Sequence, residues 1–118
     1  MNWTTIRLEL AGNKAFPAGS VSRGYLIRAP LNDSGAIDEA SLAKTPQKAI
    51  VRRFWSTEPD ERGRLVRVGK HWALRCDGKA DRLLANKSGS FAPGDEITVV
   101  ECKGARLPFR VASVRSNS

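Results

Sequence analysis

Residues 91–114 constrain the fold more than any other part of the chain. Phe91-Ala92-Pro93-Gly94-Asp95 reads as a turn, Glu96–Cys102 as a strand, Lys103-Gly104-Ala105 as a second turn and Leu107–Val114 as another strand. Two β-rich runs joined by a short connection with a glycine predict an antiparallel hairpin. Ile97 and Val99 share one face, against Thr98, Val100 and Cys102; Phe109 and Val111 turn inward, against Arg110 and Ala112. A hairpin of this kind sets the class as antiparallel β but assigns no activity.

The same period of two recurs upstream. Ile6, Leu8 and Leu10 alternate with Thr5, Arg7 and Glu9, the pattern of a half-buried strand. Gly12-Asn13 ends it, and Phe16–Ser20 is a loop broken by proline and glycine. Gly24–Leu31 is a second strand, with Tyr25, Ile27 and Ala29 on one face. Ala49–Trp55 is a third, and both of its faces mix apolar groups with arginine: Ile50, Arg52 and Phe54 against Val51, Arg53 and Trp55. Glu58–Gly63 reads as a polar exposed loop. Arg64–Val68 and His71–Cys76 form a second hairpin about Gly69-Lys70, with Trp72, Leu74 and Cys76 on one face. Asp81–Asn86 fits either a short strand or a turn of helix, and the tail from Arg115 is expected to fray.

One helix is expected. Asp38 has the character of an N-cap, Glu39 favours the first turn, and Pro46 bars continuation, which bounds the helix at Glu39–Lys44. With 118 residues, 41% hydrophobic and 27% charged, the chain fits one globular domain spanning 1–118. Roughly six or seven short strands with frequent turns predict an all-β fold with minor α content. The expected form is a small, partly open antiparallel β-barrel with one short helix. Its expected core is Ile6, Leu8, Leu10, Tyr25, Ile27 and Ile50 from the first half of the chain. Phe54, Leu74, Ile97, Val99, Phe109 and Val111 complete it.

No apolar run approaches the roughly 20 residues that cross a bilayer. Met1–Arg7 lacks a basic segment followed by an apolar core, so a cytoplasmic protein is expected. Cys76 and Cys102 then read as reduced strand residues, with a disulfide between them left open. A metal site would need His71 beside both cysteines, and no ligand spacing supports one. Catalysis finds no support either. His71 sits at a hairpin tip, the aspartates fall mostly in turns, and no nucleophile elbow or phosphate-binding glycine loop is present. No cofactor is expected.

Charge is the more informative property. The net charge is +8, and residues 49–82 hold nine of the 20 basic groups against five of the 12 acidic ones. Arg52-Arg53-Phe54-Trp55 joins paired arginines to paired aromatics, and Arg62, Arg64, Arg67, Lys70 and Arg75 follow. If they converge, arginines could neutralise phosphates while Trp55 or Trp72 stacks on a base. The candidate polyanion-binding set is Arg52, Arg53, Trp55, Arg64, Arg67, Lys70, Trp72 and Arg75. Alternating strands need not put all of these on one face, and the aromatics equally suit a core.

Thr5–Ala11, Gly24–Leu31, Val51–Trp55 and Phe91–Asp95 resemble, in the same order, segments of a group of small uncharacterised bacterial proteins. The resemblance implies a bacterial cytoplasmic protein and brings no site with it. The sequence therefore favours a non-catalytic domain whose basic surface meets nucleic acid or another polyanion. The alternative is a protein-interaction module that uses an open strand edge or binds an acidic partner.

Overall fold

The computed structural model describes residues 2–86, 88–101 and 103–116. The expectations for Cys102 lie outside them. Strands β1 (Asn2–Leu10) and β2 (Ser20–Leu31) lead to helix α1 (Glu39–Lys44) and a 3₁₀ turn at Pro46–Lys48. Then come β3 (Ile50–Trp55), β4 (Glu58–Val68), β5 (His71–Cys76), β6 (Arg82–Ala85), β7 (Glu96–Val100) and β8 (Arg106–Ser116). Each strand pairs antiparallel with its sequence neighbours, and β8 returns to β1, with Leu10 opposite Phe109 and Thr4 opposite Ser116.

The barrel is thus closed, not partly open as the sequence suggested. The difference lies in strand length. Glu58–Gly63, read as a loop, forms the first half of β4, and of the two readings left open for Asp81–Asn86 the strand holds, over Arg82–Ala85. β8 runs on to Ser116 rather than fraying at Arg115. The extra ladder joins both sides of the sheet, and closure satisfies backbone groups that an open edge would expose. Register shifts between Arg7 and Leu8 and between Arg53 and Trp55 bend the wall where it curves.

The inward series follows the pleat. Thr4, Ile6, Leu8 and Leu10 face Ala29, Ile27 and Tyr25, and Ile27 faces Val51. Leu65 opposes Leu74, Leu84 opposes Val99, and Ile97 opposes Phe109. These apolar side chains are buried as one cluster. Tyr25 and Phe109 meet edge to face, with ring centroids 5.4 Å apart.

β3 corrects two expected core positions. Val51 and Arg53 face inward, so Ile50 is 47% exposed and Phe54 is half-buried on the outer wall. The choice follows the pairing of Val51 with Ile27 and the carboxylates that receive Arg53 inside.

The β2–β3 connection closes one end of the barrel. Asp38 caps α1 by accepting from the Ser41 backbone N–H at 3.5 Å; it also accepts from the Ser41 hydroxyl at 2.8 Å, and Leu42 and Ile37 join the core. The Phe91 N–H donates to the Gly35 carbonyl at 2.9 Å. Phe91 follows β6, which stands four places from β2 in the eight-strand ring, so the connection spans that mouth. Among the described residues no helix is long and apolar enough to cross a membrane.

Candidate nucleic-acid interface

The outer wall of β2–β4 is built of arginine by register alone. Arg28 on β2 and Ile50 on β3 line the same depression, and Ile50 lies opposite Arg64 on β4. One row away, Leu26 lies opposite Arg52, and Arg52 opposite Arg62. Arg64 in turn lies opposite Arg75 on β5. Side chains directly opposite in an antiparallel pair have Cβ atoms roughly 5 Å apart, so Arg52–Arg62 and Arg64–Arg75 are repulsive pairs.

A shallow depression of about 270 Å³ sits among Thr5, Leu26, Arg28, Ile50, Arg52 and Arg62. Its apolar floor is Leu26 and Ile50, and its rim is three guanidinium groups. Little on this wall cancels the charge. Arg52 reaches Asp60 at 3.7 Å with both side chains about half exposed, a geometry worth little in water. Arg28 has a buried Nε without a hydrogen-bond partner. Arg62 and Arg64 make no ion pair among the described residues. Arg75 differs, because Asp81 holds it through two contacts of 3.0 and 2.9 Å. The Arg75 hydrogen bond correspondingly holds the Asp81 carboxyl below its usual range.

The eight residues expected from sequence are divided among three places. Arg52, Arg64 and Arg75 lie on the outer wall. Arg53 and Trp55 turn to the mouth opposite α1. There the Arg53 guanidinium lies 4.2 Å from the Trp55 ring, and Trp55 meets Phe109 at 6.5 Å. Arg67, Lys70 and Trp72 line a separate cleft at the helix end. The aromatics are therefore not side by side with the outer arginines. Arg28 went unnoticed in the sequence because it precedes the basic middle third, although its alternation with Tyr25 and Ile27 places it outward.

The mouth that receives Arg53 is an ionic seal. Arg53 Nη1 lies 3.0 Å from Glu58 and 3.5 Å from Glu61, and Arg82 Nη1 lies 3.1 Å from Glu61. Arg82 Nε lies 3.6 Å from Glu101, and the Tyr25 hydroxyl donates to Glu101 at 2.7 Å. Burial opposes the Arg53 charge, but the Glu58 hydrogen bond and the fields of neighbouring acidic groups more than offset it. Burial and Glu101 together push the Tyr25 phenol far above its usual range. Two buried arginines here meet three glutamates, of which Glu58 is about half exposed.

No family model, curated protein or solved structure matches this chain. Among the described residues no three His, Cys, Asp or Glu side chains are grouped as metal ligands.

Proposed function

We propose that this is a non-catalytic nucleic-acid-binding domain that grips the phosphate backbone through the outer wall of β2–β4. The observation that carries this reading is the juxtaposition of Arg28, Arg52 and Arg62 around one depression, with Arg64 opposite Ile50 beside it and only the half-exposed Asp60 near Arg52. Like charges directly opposite on neighbouring strands destabilise a sheet, and a polyanion reverses the sign of that term. The contacts are to phosphate rather than to bases. Trp55 and Trp72 are turned to the two barrel ends, and Arg7 covers Phe54 at 4.5 Å, so no aromatic platform stands free on this wall. Binding is accordingly sequence-tolerant.

Three alternatives are weaker. A closed barrel offers no strand edge for peptide addition. A protein interface centres on an apolar anchor, whereas the exposed apolar residues Val21, Ile50 and Val68 are single and lie on different strands. A lipid-facing band is also disfavoured, because arginine on the outer wall of a barrel is costly at mid-bilayer. Nucleic acid as partner makes the cytoplasm the proposed working compartment.

Titration of a fluorescent single-stranded oligonucleotide tests the reading. Four phosphate contacts give a slope of log affinity against log salt of about −3. Arg62→Gln and Arg64→Gln each make that slope shallower by about 0.7, while Arg75→Gln, already paired with Asp81, changes it little. Absence of binding at low salt, or equal loss in all three variants, overturns the proposal.

A further inference from the structure

The two ends of the barrel treat inward-facing arginine differently. At one end Arg53 and Arg82 meet Glu58, Glu61 and Glu101. At the other, Arg67 belongs to the same inward series of β4 as Glu61, Gly63 and Leu65, yet meets no carboxylate among the described residues. Its guanidinium lies 4.8 Å from the ring of Trp72, its cross-strand partner, and its Nε donates to the Gly69 carbonyl at 3.2 Å. Its terminal nitrogens make no hydrogen bond among the described residues.

These groups border a cleft of about 600 Å³ between the β4–β5 hairpin, the β2–β3 connection and the segment after β6. That is within the usual size of small-molecule sites, roughly 300–1,000 Å³. Ile37, Leu84 and Phe91 form an apolar floor, each nearly fully buried and part of the core cluster. Trp72 adds a half-buried aromatic wall. Arg67, Lys70 and His71 stand on the rim, and no lining residue is acidic. An apolar floor takes a flat hydrophobic body, while cations confined to one side take a negative group attached to it.

We infer that this cleft is a binding site for a small aromatic anion. Its ring lies against Trp72 and the Ile37–Phe91 floor, and its carboxylate or phosphate is met by Arg67 and Lys70. The site is separate from the outer wall of β2–β4 and does not depend on the nucleic-acid reading.

The experiment is an NMR titration of ¹⁵N-labelled protein with 1-naphthoate, and with 1-naphthalenemethanol as the uncharged control. Trp72→Phe identifies the indole N–H signal to follow. The naphthoate is expected to move the Trp72 indole and the Ala85 and Gly89 amides saturably. The alcohol binds at least about tenfold more weakly, the value of one charge-assisted contact. Arg67→Gln weakens the naphthoate by a similar factor while the amide signals of β1 and β2 stay in place. Lys70→Gln, at an exposed hairpin tip, repeats the test without touching the Trp72 contact. Shifts confined to other surfaces, equal affinity for acid and alcohol, or indifference to both substitutions overturn the inference.

Discussion

Tyr25 is the chain's only tyrosine, and it sits where the apolar core meets the ionic seal. Its ring packs on Phe109 and its hydroxyl donates to Glu101. Ionising it would place a phenolate beside a carboxylate in a poorly hydrated space, which is why its pKa lies far above the ordinary value near 10. The folded state therefore holds the phenolic proton more tightly than the unfolded chain does. The resulting stability is fully present below about pH 10 and is lost as pH rises beyond it. A spectroscopic titration is expected to show no phenolate absorbance through about pH 11 in folded protein, then a rise that coincides with unfolding. A reversible titration near pH 10 with the fold intact would contradict the Glu101 contact. The seal also explains why β3 was hard to read. Arg52 and Arg53 are equivalent by local pattern, and the carboxylate and phenol groups that draw Arg53 inward come from β2, β4 and residue 101.

Among the elements, β4 shows both what local pattern captures and what it misses. Its second half, Arg64–Val68, alternates legibly and pairs with β5 as expected. Its first half contains proline and four charged residues, a composition that normally marks a loop. It is a strand because Glu58 and Glu61 neutralise Arg53, and because Arg52, Arg53 and Trp55 supply pairing partners. α1 was fully legible, since an N-cap and a proline stop are local signals. Closure was not, since it depends on Thr4–Leu10 meeting residues about a hundred positions away. Gly63 lies at the middle of β4, opposite both Val51 and Cys76. A Cβ at this position would collide with the Arg75 carbonyl and come within 2.6 Å of the Cys76 Cα. Gly63→Ala is expected to lower stability by roughly 1–3 kcal/mol, the range for overpacking, read as a reduced urea midpoint. An unchanged midpoint would mean that β4 and β5 separate freely there.

At the scale of the molecule, the net charge of +8 is distributed by the pleat into three settings. Inward arginines at one mouth are matched by glutamate, the arginine facing the other mouth borders an open cleft, and the outer wall of β2–β4 stays positive. Composition predicted the excess but not this division, because one residue of register decides whether an arginine is sealed or exposed. The seam between β1 and β8 has its own consequence. Thr4 and Ser116 are direct neighbours across it, so a short flexible bridge could join the backbone there into a ring. New termini could then be cut between Gly78 and Lys79, in an exposed turn. Such a circular permutant is expected to keep the parent's circular dichroism and oligonucleotide affinity, for a continuous wall has no first strand.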